Sequence, residues 1–209
     1  MDKLDVLVKL REKKLVSVVR IDSTQPKAVI NSIIKGGISF IEITFTMDGA
    51  LELISSLTKE HKEDSNVIIG AGTVLDETSA RLAIINGAKF IVSPSFNSKV
   101  AEICNLYRIA YIPGVHNPND IQLALRSGCD VLKLFPASTL DPFIIKEFKG
   151  PYPQAQFMVS GKVNYKNALD WINAGAIAIC LGSVLTNEEK NGLDLITTIG
   201  RKFVDLIDD

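Results

Sequence analysis

Three charged side chains fall inside or at the end of apolar runs in this chain. Lys133 lies within Val131-Leu132-Lys133-Leu134-Phe135-Pro136, Glu42 within Phe40-Ile41-Glu42-Ile43-Thr44, and Arg20 closes Leu15-Val16-Ser17-Val18-Val19. Short apolar runs of this kind read as strands buried on both faces. A lysine is almost never buried in one unless it is paired or working, because a lone charge there is costly. Alternation along a strand gives the facing. Phe40, Glu42 and Thr44 share one face, as do Val131, Lys133 and Phe135, and as do Val16, Val18 and Arg20. The opposite faces are apolar in the runs around Glu42 and Lys133 and largely so in the first, so they suit packing against helices. The three charged groups are then expected to point into one cavity. The plain alternatives are a structural Glu42–Lys133 ion pair and a rim salt bridge for Arg20.

The chemistry such a set supports is specific. An amine in an apolar cavity beside another cation loses its proton more readily, whereas a carboxylate beside it pulls the other way. A neutral amine attacks a ketone to form a Schiff base. The protonated imine is an electron sink that stabilises the enamine left when a neighbouring carbon–carbon bond breaks. A carboxylate at the same centre moves protons through a bound water. That is a class I aldolase in outline, and it requires neither a metal nor an organic cofactor.

The elements that must position these groups recur along the chain. Strand-like runs appear at Leu15–Arg20, Phe40–Thr44, Val67–Gly70, Phe90–Val92, Ile109–Ile112, Val131–Pro136, Phe157–Val159 and Ile177–Cys180, with helical patterns between them. An N-terminal helix is expected from Leu4, Leu7, Val8 and Leu10. Asp22-Ser23-Thr24 is expected to cap a helix starting near Pro26, and Asp76 one ending at Asn86-Gly87. Pro113-Gly114 is read as stopping the fifth run, Ala71-Gly72-Thr73 as a loop, and Leu193–Ile207 as a terminal helix. The phrases Gly-Gly-Ile-Ser-Phe-Ile, Asn-Gly-Ala-Lys-Phe-Ile, Ser-Gly-Cys-Asp-Val-Leu and Ala-Gly-Ala-Ile-Ala-Ile each close a helix and open a strand, like a short repeat of one αβ turn. Eight such units predict an α/β fold, a (β/α)8 TIM barrel with an extra N-terminal helix, spanning 1–209 as a single domain. An open doubly wound sheet would carry a glycine-rich first βα loop, which is missing after Arg20.

Composition narrows the function further. The 209 residues are 46% hydrophobic with a formal net charge of −1. No basic stripe marks a nucleic-acid partner, and no apolar run approaches the roughly 18–20 residues of a membrane span. The charged N-terminus, MDKLDVLVKLREKK, has no signal-peptide pattern. Cys104, Cys129 and Cys180 read as reduced core residues of a cytoplasmic protein. With His61 and His116 they make no usual zinc spacing.

Ile41-Glu42-Ile43-Thr44, Gly70-Ala71-Gly72-Thr73-Val74, Val92-Ser93-Pro94, Pro113-Gly114 and Leu132-Lys133-Leu134-Phe135-Pro136 occur in an order and spacing that resembles the Schiff-base 2-keto-3-deoxy-6-phosphogluconate (KDPG) / 4-hydroxy-2-oxoglutarate (KHG) aldolases. The resemblance implies a homotrimeric barrel that cleaves a 2-keto-3-deoxy sugar-acid phosphate to pyruvate and glyceraldehyde 3-phosphate, and in many members 4-hydroxy-2-oxoglutarate to pyruvate and glyoxylate. It implies that Lys133 forms the imine, that Glu42 is the general acid/base, that Thr73 contacts the keto-acid end, and that Pro94 and Phe135 wall the pyruvyl methyl.

Two departures stand out. Many members carry an arginine four residues after the glutamate, where this chain has Thr46; others carry it at the end of the first strand, where Arg20 stands. Carboxylate binding is therefore assigned to Arg20, whose planar fork suits a bidentate contact. The family's phosphate loop commonly reads Pro-Thr-Gly-Gly, whereas here it is Val159-Ser160-Gly161-Lys162. Ser160, Gly161, Lys162, Gly182 and Ser183 are the expected phosphate cradle, Lys162 acting as a point charge, with a helix N-terminus expected behind each loop. His116 is read as a surface loop residue within reach of the same mouth.

Other readings remain to be weighed. The same aldolase chemistry on a galactonate-derived or unphosphorylated acid is one. A sugar-phosphate epimerase or decarboxylase would need further strand-end aspartates, and Asp130 precedes its strand. A non-catalytic barrel sensing keto acids or sugar phosphates is opposed by the joint presence of Lys133, Glu42, Thr73 and Arg20.

Overall fold

The computed structural model describes residues 1–186 and 192–208. Its elements alternate from the first strand on: α1 (Lys3–Lys13), β1 (Leu15–Val19), α2 (Pro26–Lys35), β2 (Phe40–Thr44), α3 (Ala50–Glu60), β3 (Ile68–Gly72), α4 (Glu77–Ile85) and β4 (Phe90–Val92). Then come α5 (Ser98–Leu106), β5 (Ala110–Ile112), β6 (Gly114–Val115), α6 (Pro118–Arg126) and β7 (Leu132–Leu134). The chain ends with α7 (Ile144–Lys149), β8 (Phe157–Val159), α8 (Ala168–Asn173), β9 (Ala178–Leu181), α9 (Ser183–Thr186) and α10 (Leu193–Asp208).

All strand pairs are parallel, in the order β5-β4-β3-β2-β1-β9-β8-β7-β6. The two ends of that order, β5 and β6, are consecutive in the chain and separated only by Pro113. The fifth run is thus one strand that changes partner at the proline, and its two halves close the barrel. Proline has no N–H to give to a ladder, but its carbonyl still accepts from Lys133 N at 2.8 Å. The expectation that Pro113-Gly114 ends the strand is corrected here. A Cβ at position 114 would run into the Pro94 carbonyl, so only glycine lets this strand pass the fourth-strand loop.

Two hydrophobic clusters separate inside from outside. Val16, Phe40, Ile68, Phe90, Val131, Met158 and Ala178 fill the barrel interior, whereas Leu15, Ile41, Ile43, Ile69, Leu132, Leu134 and Ile179 pack against helices. This is the alternation expected from the sequence. Helix α1 closes the interior from below through Val6 and Leu10, each 1% exposed, with roughly 1.5–3 kcal/mol of hydrophobic stabilisation apiece. The seam differs from the expected one, because Leu4 and Val8 face solvent. The helix spans the bottom of the barrel, at the N-terminal ends of the strands, so its i, i+4 pair Val6/Leu10 points inward. A mutual Asp2–Asp5 capping box starts it.

The glycines of the four repeated turns, Gly37, Gly87, Gly128 and Gly175, all have φ between 75° and 106°, the left-handed C′ position. Asp76 caps α4 through Ser79 N, as expected. Helix α2 starts at Pro26 as expected, but its N-cap is Gln25, with no side-chain cap from Asp22-Ser23-Thr24. Strand β3 runs through Gly72, two residues further than the sequence suggests, which carries Thr73 to the strand's very end.

Candidate active site

The C-terminal ends of the strands surround a cavity of about 300 Å³, the end where barrels of this type bind ligands. Lys133 and Arg20 reach it from β7 and the end of β1; Thr73 and Pro94 follow β3 and β4, and Phe135 follows Lys133. Ser160, Gly161 and Lys162 line the same cavity from the loop after β8, Gly182 from just after β9, and Ser183 from the first position of α9. Glu42 lies beneath, on the inward face of β2, with its Oε1 3.6 Å from Lys133 Nζ. Every residue singled out from the sequence is therefore at this cavity or directly under it, His116 excepted. His116 is exposed and its Nδ1 lies 3.2 Å from the Phe135 carbonyl oxygen, outside the cavity lining.

The pair at the base is withdrawn from water: Glu42 is fully buried and Lys133 is 6% exposed. At 3.6 Å they attract electrostatically without a short hydrogen bond. Neither Glu42 oxygen accepts a hydrogen bond from a described residue and both are closed to solvent, so the Lys133 ammonium is the charge they face. The Lys133 ammonium sits 5.2 Å from the centre of the Phe135 ring, inside cation–π range. At the rim, Arg20 Nη2 donates to Thr73 Oγ1 at 3.2 Å. Thr73 itself has φ 55°, a left-handed backbone uncommon for a β-branched residue and typical of strained functional positions. Thr46, by contrast, is outside the lining and exchanges a 3.0 Å hydroxyl contact with Thr44.

The loop after β8 is built for close approach. Gly161 has φ 116°, and a Cβ there would come within 2.9 Å of Ala137 N. Ala137 N donates to the Ser160 carbonyl, tying this loop to the one after Lys133. Lys162 follows with φ 54°. Its carbonyl accepts from the side-chain amides of Asn164 and Asn167 at 3.3 and 3.2 Å, which hold the strained residue in place. Behind these loops, α9 starts directly after Gly182 and is described over Ser183–Thr186, whereas α8 begins only at Ala168.

Cys180 also lines the cavity and was read from the sequence only as core. It shares the inward face of β9 with Ala178, so alternation alone places it there. Burial pushes its thiol up to about 12, the Glu42 carboxylate adds to this, and the Lys133 ammonium opposes it. It remains a thiol and contributes bulk, not a nucleophile. Among the described residues no group of three or more His, Cys, Asp or Glu side chains is arranged to hold a metal ion.

Known proteins resemble this chain along nearly its whole length. The family profile described as aldolase, KDPG and KHG aldolase, matches residues 6–199. The chain belongs to this aldolase family. The 2-dehydro-3-deoxy-phosphogluconate aldolase of Haemophilus influenzae is 33% identical over 207 residues, covering 97% of this chain and 96% of its own. Among solved structures, the KDPG aldolase of Zymomonas mobilis with 3-phosphoglycerate has a TM-score of 0.84 at 26% identity, covering 94% and 93% of the two chains. A cube-shaped cage designed by fusing symmetric oligomeric domains has a TM-score of 0.84 at 25% identity, covering 92% of this chain and 71% of its own.

Proposed function

We propose that this aldolase cleaves 2-dehydro-3-deoxy-6-phosphogluconate to pyruvate and glyceraldehyde 3-phosphate through a Schiff base on Lys133, and also takes 4-hydroxy-2-oxoglutarate. The observation that carries the reading is the Glu42–Lys133 pair, 3.6 Å apart and buried at the base of a cavity whose rim holds Arg20 and Thr73. Lys133 Nζ attacks the C2 ketone, and loss of water from the carbinolamine gives a protonated imine. Glu42 accepts the C4 hydroxyl proton through a water, the C3–C4 pair flows into the imine, and the aldehyde departs. The same carboxyl then protonates C3 of the enamine, and hydrolysis of the imine releases pyruvate and frees the amine. Arg20 binds the substrate carboxylate with Thr73 beside it, and Pro94 and Phe135 enclose the methyl that forms at C3.

The distal phosphate lies in the cradle of Ser160, Gly161, Lys162, Gly182 and Ser183. Support comes from the left-handed Gly161-Lys162 backbone, from Lys162 as a cation at the cavity edge, and from a relative crystallised with 3-phosphoglycerate. The protein acts as a single barrel domain in a cytoplasmic homotrimer. The likeness to domains used as symmetric oligomers supports self-assembly, and sedimentation equilibrium measures the copy number.

The deciding experiment is trapping. Borohydride with pyruvate adds one reduced pyruvyl group per chain, mapped by peptide mass to Lys133 and missing from Lys133→Ala. An unmodified intact mass under these conditions rules the imine out.

A further inference from the structure

Glu42 occupies its place because the residue beside its carboxylate has no side chain. We propose that Gly72 is a positioning residue that seats the Glu42 carboxylate against Lys133. On β3 the interior positions are Ile68, Gly70 and Gly72, since Ile69 and Ala71 pack outward. β2 pairs with β3 so that Glu42 stands opposite Gly70 and Thr44 opposite Gly72. The Glu42 side chain therefore leans one pair further along the strands, over Gly72. A Cβ built on Gly72 has only Glu42 as its three nearest heavy atoms: Oε1, Cγ at 2.5 Å and Cδ at 2.7 Å.

Backbone conformation does not call for glycine at that position. The φ of Gly72 lies outside the left-handed region, so an alanine backbone fits there. Glu42 is fully buried, and its Oε1, the atom nearest the built Cβ, is also the oxygen 3.6 Å from Lys133 Nζ. A methyl at position 72 would therefore displace the oxygen that faces Lys133. Gly70 provides the contrast. It lies on the same strand and face, and its built Cβ meets only the Phe90 ring, at 2.5 Å. Its smallness serves packing, whereas that of Gly72 serves a reacting group.

The inference rests on Glu42 being the proton-transfer group, and the test separates the two claims. Gly72→Ala is expected to lower kcat by about 10²-fold, the scale set by a misplacement of about 1 Å, with KM little changed. Borohydride still labels Lys133 at equilibrium, and the exchange of pyruvate methyl protons with D2O slows in step with kcat. Gly70→Ala lowers the melting temperature but leaves kcat and the acid limb of the pH profile near wild type. In a Glu42→Asp background, whose carboxylate is one methylene shorter, Gly72→Ala costs much less than in wild type. Wild-type kcat in Gly72→Ala, or a loss that simply adds to that of Glu42→Asp, overturns the proposal. If Gly72→Ala does not fold, recovery of folding by Glu42→Asp supports the contact, and failure to recover overturns it. If Glu42→Gln itself leaves kcat and exchange intact, the proton-transfer reading fails instead.

Discussion

The two ends of the cavity are built differently. The proposed keto-acid end is made of residues on or just after strands: Glu42 and Lys133 are almost inaccessible, Thr73 follows β3 directly, and Pro94 comes two residues after β4. The proposed phosphate end is made mostly of loops. Lys162 and Ser183 are exposed, and Gly161 and Lys162 both have left-handed backbones. A strand end is fixed by ladder bonds and two layers of packing, so it holds reacting atoms well. A loop is fixed by a few side-chain bonds, here those of Asn164 and Asn167, and its sequence is free to change with the substrate. Under the proposed function, the reaction falls to the first region and the choice of aldehyde to the second.

The largest expected effect breaks the buried end. Lys133→Met removes the nucleophile and lowers kcat on the order of 10⁴-fold or more, read by coupling pyruvate release to NADH oxidation. It also leaves the Glu42 carboxylate unpaired at full burial, so the variant is expected to lose stability in urea titration. Glu42→Leu added to Lys133→Met recovers that loss, and the double variant equals or exceeds wild-type stability by ~1–4 kcal/mol, because well-packed apolar groups replace a desolvated pair. A double variant less stable than the single would show that the pair itself holds the barrel interior together.

Arg20→Gln tests the rim of the same end. Loss of charge-assisted hydrogen bonds worth about 1.5–3 kcal/mol lowers kcat/KM roughly 10–100-fold. The loss falls on KM and is equal for phosphorylated and unphosphorylated acids, because both present the same carboxylate. An effect confined to the phosphorylated substrate would move Arg20 to the other end of the cavity.

The thiols give a smaller, purely structural check. Cys104, Cys129 and Cys180 are buried, and burial pushes each thiol up to about 12. The native protein at pH 8 is expected to react with a thiol reagent far more slowly than unfolded chain, which should titrate three groups. Rapid labelling of Cys180 in the native state would mean that the keto-acid end opens readily to solvent.

The same division explains what was legible in the sequence. Alternation placed Glu42, Lys133 and Arg20 at one cavity because a strand has a fixed period and its outer face must be apolar. It applied equally to Cys180, whose inward direction went unread because an apolar thiol among alanines carries no charge to draw attention. The repeated turns were visible because left-handed geometry selects glycine. Pro113 misled because a proline normally ends a ladder, and only the change of partner from β4 to β7 makes it harmless. The seam of α1 was misplaced because its period fits two stripes, and the choice between them depends on how the helix crosses the barrel. The phosphate loop was the least readable, since its backbone is held by long-range contacts such as Ala137 N to the Ser160 carbonyl.

Lys162→Gly is the finest test of the comparison, because it removes the cation from one end while the backbone there keeps its conformation. Glycine accepts φ 54° without a steric penalty, and the Lys162 carbonyl keeps its two asparagine donors. The relief of a left-handed side chain, about 1–2 kcal/mol, is offset by roughly 0.5–1 kcal/mol of extra chain entropy in the unfolded state. Stability should therefore rise slightly or stay level, and the loop should keep its shape. Removal of the ammonium is then expected to raise KM for the phosphorylated substrate about 10-fold, the scale of one charge-assisted contact, and to leave KM for 4-hydroxy-2-oxoglutarate unchanged. Equal effects on both substrates would mean that Lys162 acts on the keto-acid end and that the two regions are coupled. No effect on either would leave phosphate binding to the backbone of Gly161 and Gly182 and the Ser183 hydroxyl, with Lys162 facing solvent.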